Sequence, residues 1–210
     1  MGTFLDLRTN IASDLTRDDL SDQIKRAVLD AVRLHAASRF WFNTTRSKTF
    51  QTVANQANYG AAALAEIPNI IQLDKLFLFD GASRYPLEFF EVADFEMAAV
   101  SGAKGRPTIY TRTDGEILLY PIPNAVWTLR PHMHYRLAKL SADGDANAWT
   151  DEDAAEMLIR AQAKWFLYTN LIEDDEGAAR MLPQIQDYKA RLDAETSKRT
   201  ASGVIRGTDF

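Results

Sequence analysis

The chain has 210 residues, of which 46% are hydrophobic and 25% charged, enough to bury a core in one domain or in a domain carrying an insertion. Its formal charge of -5 argues against attraction to nucleic acid over the whole surface while leaving room for a local basic patch, and the absence of cysteine removes disulfides, thiolate nucleophiles and cysteine metal sites. No run approaches the roughly 20 apolar residues that span a bilayer, and MGTFLDLRTN lacks a basic segment ahead of an apolar one, so a soluble, unprocessed protein is expected.

In chain order, Phe4, Leu7, Ile11 and Leu15 recur at helical spacing and predict a first amphipathic helix. After the polar break Thr16-Arg17-Asp18-Asp19, the stripe Leu20, Ile24, Val28 and Ala31, continued by Leu34 or His35, predicts a second helix ending near Arg39. Asp18, Asp19 and Ser21 stand where carboxylates and hydroxyls cap a helix and complement its N-terminal dipole. From Phe40 the texture changes to aromatic and β-branched residues between turn formers, as in IIQLDKLFLFDG, TIYTRTDGEILLYP and AVWTLRPHMHYRL, which predicts a β region. Asp80-Gly81 and Asp114-Gly115 each lie between such runs, a strong short-range signal for a hairpin. A short helix is expected over residues 91–100 and a polar linker over 140–149.

Helical period returns at Ala154, Met157, Leu158, Ala161, Trp165 and Tyr168, where Thr150 followed by Asp153 resembles a capping box. Met181, Leu182, Ile185, Tyr188 and Leu192 predict a terminal helix in which Pro183 either makes a kink or occupies the first turn. The remaining tail has no core-forming period and is expected to be extended. Neither helical pair has surface enough for a good core alone. An α+β fold is therefore expected: helices from 1–39 and 150–198 packed as a bundle, an antiparallel β-rich lobe inserted at 40–149, and an extended tail at 199–210.

The sequence offers little catalytic chemistry. His132 and His134 would share one face of a strand, a spacing that can supply two metal ligands, but no third candidate lies nearby and cross-strand packing is the simpler reading. His35 reads as a satisfied boundary residue of its helix. Asp143, Asp145 and Asn147 mimic the start of a calcium loop, yet Ala148 and Ala154 stand where such a loop needs glycine and a bidentate glutamate, which leaves a capping turn. Glu173, Asp174, Asp175 and Glu176 read first as exposed charge complementing a helix start, and, repeated around a ring, as a band of negative potential. No phosphate-cradling glycine loop and no nucleophile elbow is present. Phe77, Phe79, Tyr85, Phe89, Phe90, Tyr110 and Tyr120 alternate in a way that suits sheet packing more than a base-stacking platform, so they are expected in the core.

One stretch says more. Gly105-x-Pro107-x-x-Tyr110, Asp114-Gly115 and Leu118-x-Tyr120-Pro121-x-Pro123 run in order into the strand AVWTLRPHMHYR and the linker LSADGDANAW. With the two-helix start, the aromatic junction RFWFNTTRSKTF and RYPLEFFEVADFE upstream, this series resembles tailed-bacteriophage head-to-tail adaptor (connector) proteins through about Tyr188. The AAALAEIP segment is longer and richer in alanine than the corresponding loop of that family.

The resemblance implies a structural virion protein and no enzyme, with no cofactor and no metal. Its implied partners are a capsid portal ring, tail (nozzle or tail-tube) proteins and further copies of itself, commonly twelve. Double-stranded DNA would pass through the centre without specific binding, at the portal vertex of a virion assembled in host cytoplasm, and no membrane would be involved. On that reading Arg199, Val204, Ile205, Arg206 and Phe210 dock on the portal, Glu173 to Glu176 face the lumen, and the Asp80-Gly81 and Asp114-Gly115 loops reach a neighbouring subunit or the next tail component. Pro107, Pro121 and Pro123 would keep the hairpin strands from unwanted edge pairing. Rival readings are a tail-tube or stopper subunit, a DNA-binding packaging accessory that would need a basic face, and a metalloenzyme built on His132 and His134.

Overall fold

A computed structural model of the chain describes residues 2–60, 64 and 69–201. Helices α1 (Phe4–Leu15) and α2 (Ser21–His35) lead through a 3-10 turn at Trp41–Asn43 to short strands β1 (Thr44–Thr45), β2 (Phe50–Gln51) and β3 (Asn58–Tyr59). A long hairpin, β4 (Ile70–Asp80) and β5 (Ser83–Phe89), precedes α3 (Val92–Ala99) and β6 (Lys104–Gly105). Then come the hairpin β7 (Ile109–Thr113) and β8 (Glu116–Tyr120), β9 (Ile122–Pro123) and β10 (Thr128–Tyr135). A single-turn α4 (Ala148–Asp151), α5 (Asp153–Leu167) with a π-helical extension at Tyr168–Ile172, and α6 (Asp175–Ala201) follow. The fold is α+β, and the chain forms two compact units, Met1–Phe42 with Leu137–Phe210, and Asn43–Arg136.

In the helical unit α1 opens on a reciprocal cap: Thr3 Oγ1 accepts from the Asp6 amide at 3.1 Å while Asp6 Oδ2 accepts from the Thr3 amide at 2.9 Å. Phe4, Leu7 and Ile11 are buried as their spacing requires. The start of α2 departs from expectation, because its N-cap is Leu20 and makes no side-chain bond. Asp19 is held instead by the guanidinium of Arg17 at 2.7 and 2.8 Å, a charge-assisted fork that outcompetes a neutral backbone donor. The helix stops at His35, short of Arg39; His35 is buried whereas Leu34 is exposed.

The core-facing side of α5 differs in part: Leu158 and Ala161 are buried as expected, but Ala155, Ile159, Gln162, Ala163 and Leu167 join them while Met157 is 39% exposed. Apolar period alone favours the large residue, but buried alanines suit a face against which other helices of the unit lie. Residues 140–149 are more than a linker, since Leu140 and Trp149 belong to the helical core. Trp149 stands edge-on to Phe40 and Phe42 at centroid distances of 5.9 and 5.1 Å. The capping box sits one turn earlier than expected: Asn147 Oδ1 accepts from Trp149 N at 2.8 Å, and Thr150 Oγ1 accepts from Asn147 N at 3.1 Å. Polar ties join α1 to distant segments, as Asp14 accepts from Arg160 and Lys164 at 2.8 and 2.9 Å and Arg8 pairs with Asp143 at 2.6 Å.

Pro183 lies in the interior of α6, beyond its first turn. The helix runs to Ala201, where an extended tail was expected from residue 199. Arg199 stabilises this last part through an i,i+4 pair with Glu195 at 2.7 Å and a position 4.5 Å from the Trp41 ring centroid.

The other unit is an eight-stranded mixed sheet ordered β1-β10-β4-β5-β7-β8-β3, with β2 also on β10, and a separate β6–β9 ladder. Among the described residues only the β5–β7 and β6–β9 pairings are parallel. On β4 the period of two sends Leu76 and Leu78 into the core and leaves Lys75, Phe77 and Phe79 on the other face. Leu87, Leu129, Met133, Tyr110, Ile117 and Leu119 complete that core with Tyr59, whose buried hydroxyl donates to the Gln56 carbonyl at 2.8 Å and accepts from the Val53 amide at 3.0 Å. Pro123 was expected to prevent pairing, yet it forms half of the β9 ladder with Gly105. A short parallel rung tolerates it because its carbonyl still accepts, here from the Asn55 amide at 2.7 Å.

Candidate functional site

The residues that could carry chemistry are engaged locally. The His132 ring packs on Phe77 with centroids 4.7 Å apart, and its pKa lies below the ordinary value, first because burial disfavours the imidazolium and then because Arg46 and Arg130 stand close. His134 is buried in register with Thr44. Among the described residues no group of three or more His, Asp or Glu side chains could hold a metal ion. Burial lowers the pKa of His35 as well, against a hydrogen bond with Gln162 that favours the charged form. The calcium-like triplet is dismantled into capping roles: Asp143 pairs with Arg8, Asn147 caps α4, and Asp145 Oδ2 accepts from the Ser141 and Ala142 amides at 2.6 and 2.8 Å. Those backbone bonds hold Asp145 below the usual carboxylate range.

The acidic run at the start of α6 divides in the same way. Glu173 has a φ of 57°, Asp174 Oδ1 caps α6 by accepting from the Gly177 amide at 2.9 Å, and Asp175 and Glu176 occupy the first turn, where they complement the dipole. Glu173, Asp175 and Glu176 are exposed. Gly177 is required here, because a Cβ would lie 2.5 Å from Asp174 Oδ2 and 2.9 Å from the Tyr168 ring. Arg199 sits on α6 as described; Val204, Ile205, Arg206 and Phe210 lie outside the described residues, as does most of the alanine-rich 61–68 segment.

Both hairpin tips are open. Asp114 and Gly115 carry φ of 51° and 80°, a two-residue turn with both central residues left-handed. In the other hairpin Asp80 pairs with Ser83, so the turn residues are Gly81 and Ala82, one position later than the Asp80-Gly81 reading. Gly81, with a φ of 57°, supplies the left-handed first position.

What sequence reasoning missed is a surface. Of the aromatics expected in the core only Tyr110 is buried outright; Phe77 and Phe79 are half-buried on the outer face of β10-β4-β5 and Phe89 is 50% exposed. On that face Arg130 lies 4.2 Å and Arg84 5.5 Å from the Phe79 ring centroid, whereas Arg106 lies 3.8 Å from the ring centroid of Tyr85, which pairs with Leu78 on the core side. The alternation in KLFLF contained this signal, but parity alone does not say whether leucine or phenylalanine faces inward. A second surface surrounds α3. Exposed Phe89, Val92, Met97 and Val100 accompany exposed Glu91, Asp94 and Glu96, and Phe89, Phe90, Glu91, Asp94 and Met97 line an open cleft.

No helix among the described residues is long and apolar enough to cross a membrane. A comparison with curated proteins finds no match. The family model described as SU10 adaptor protein matches residues 2–207, nearly the whole chain. By that match the chain, with its α+β fold, belongs to the SU10 adaptor family of structural phage proteins.

Proposed function

We propose that this protein is a head-to-tail adaptor ring that joins the capsid portal to the tail and surrounds the DNA channel at the portal vertex. The observation that carries the reading is the family match over residues 2–207. The helical unit supports it physically, with a continuous core of α1, α2, α5 and α6 side chains that makes a rigid frame for packing against identical copies. Twelve copies would match the usual ring of these connectors.

Charge supports it too. The β unit has nine Lys or Arg and nine Asp or Glu, so the whole excess of five negative charges lies in the other unit, fifteen against twenty. Glu173 to Glu176 belong to that unit, and an acidic lumen keeps DNA sliding where phosphate-binding cations would retain it. The C-terminal segment from Arg199 docks on the portal, and the Gly81 and Asp114-Gly115 tips meet a neighbouring subunit or the next tail protein. The chain assembles in host cytoplasm and performs no catalytic step.

The test is light scattering of the purified chain, alone and mixed with the portal ring of the same virion, for the full chain and for one ending at Lys198. A discrete complex with about one adaptor per portal subunit, lost on truncation, is expected. Association with tail components but never with the portal would transfer the protein to a tail-tube or stopper role.

A further inference from the structure

The two surfaces of the β unit are complementary to each other. The outer face of β10-β4-β5 is cationic and aromatic, with Phe79 between Arg84 and Arg130, Phe77 beside His132, and the ammonium of Lys75 exposed. Charges of Arg46, Arg130 and Lys75 reach His132 and are opposed there by the single carboxylate of Asp74, which leaves the surroundings cationic on balance. Two carboxylates lie among this group, Asp74 beside Lys75 on β4 and Glu88 across from Lys75 on β5, and neither Arg84, Arg130 nor Lys75 is in an ion pair among the described residues.

The α3 surface has the opposite character. Phe95 anchors the helix edge-on to Tyr120 at 6.5 Å, which turns Val92, Met97 and Val100 outward. Met97 on the helix and Val100 just past its end are 77% and 85% exposed, a large departure for apolar side chains. Glu91, Asp94 and Glu96 rim them, again without an ion pair among the described residues. The helix packs on β7, across β5 from the cationic strands, so one copy displays both halves of a contact at separate places.

We infer that the α3 surface of one copy docks on the cationic aromatic face of β10-β4-β5 in the next copy. Apolar side chains Met97 and Val100 cover Phe77 and Phe79, while Glu91, Asp94 and Glu96 meet Arg84, Arg130 and Lys75. Two different patches joined head to tail make a heterologous interface, the kind that closes into a ring and that an isologous dimer cannot extend. Charge complementarity favours a second copy as the occupant: the acidic and apolar surface that the cationic face requires is carried by the same chain, in a unit whose net charge is zero. This inference rests on the ring reading and names one lateral contact within it.

The absence of native cysteine makes the test direct. Arg84→Cys and Asp94→Cys are introduced in separate full-length chains and together in one, and disulfide formation is followed in rings assembled on the portal, with ring mass measured independently. Expected are heterodimers from the mixed single variants and a ladder of oligomers from the double variant. Rings of unchanged mass that give no bond between positions 84 and 94, or only homodimers, would overturn this contact and leave the ring standing. Absence of any higher-order species with or without portal would overturn both. As an independent arm, Arg84→Glu with Arg130→Glu is expected to weaken self-association about tenfold or more, and Glu91→Lys with Asp94→Lys in the partner copy to restore it. Failure of the reversed pair to restore association while each variant keeps its native circular dichroism would also count against the contact.

Discussion

The helical unit and the β unit differ in how their largest aromatic side chains and their charges are matched. In the helical unit Phe4, Phe40 and Trp149 are wholly buried, and Asp14, Arg160 and Lys164 are matched to one another across α1 and α5. In the β unit Phe77, Phe79 and Phe89 stay partly or half exposed, and Arg84, Arg130, Asp94 and Glu96 are left without ion pairs among the described residues. Interior packing and paired charge stabilise a fold; exposed rings and unmatched charge are useful only when a partner covers them. The difference therefore separates a frame from a surface for contact.

Breaking the frame should have the largest effect. Trp149→Ala removes a ring packed edge-on to Phe40 and Phe42 and should cost about 3–5 kcal/mol in urea denaturation followed by circular dichroism. A loss below about 1 kcal/mol would show that the aromatic junction is not the keystone of that unit. Adjacent residues of β4 sharpen the contrast inside the other unit. Leu78→Ala, facing the core, should cost about 2–5 kcal/mol, whereas Phe79→Ala, facing outward, should cost about 1 kcal/mol or less of chain stability. Equal losses at the two positions would contradict the assignment of Phe79 to a contact face.

Asp14 probes the paired charges. Burial works to raise its pKa, but hydrogen bonds and charge from Arg160 and Lys164 together outweigh this and hold it below 3.8. A carboxyl whose pKa is depressed by folding adds stability that is present above its unfolded value and disappears as pH falls through the folded one. Asp14→Asn should thus be about 1 kcal/mol less stable than the native chain at pH 7, and the gap should close as pH drops below about 4. A gap independent of pH would point to shape rather than charge. The smallest effect is expected for Arg199→Ala, about 0.5–1 kcal/mol, from the loss of its contact with Trp41 and its exposed pair with Glu195. If portal binding falls far more than stability does, Arg199 acts in docking beyond its place on α6.

Much of the frame was legible before folding was considered. Phe4, Leu7 and Ile11, and then Ile24, Val28 and Ala31, follow a 3.6-residue period that only one helical face satisfies, and all six are buried. Asp114-Gly115 was equally plain, since the turn needs two left-handed residues and few pairs supply them cheaply. Harder were the positions at which local rules offer more than one partner. Asp19 could cap α2 or pair with Arg17, and the guanidinium wins; Thr150 could cap α5 or answer Asn147, and the earlier turn takes it. The surface pair was unreadable for a similar reason, as Arg84, Phe79 and Arg130 belong to three different strands and meet only through their register.

The sequence by itself determined the element types, the α+β class, the hairpins and the family, because each depends on residues close in the chain or in a fixed order along it. Tertiary structure alone decided which side of β4 is buried, that Trp149 and Leu140 join the helical core, and that cations from the two flanking strands converge beside Phe79. Those outcomes depend on long-range packing. A strand's two faces are equivalent until a sheet covers one of them, and a charge remains unmatched until every other element has taken its place.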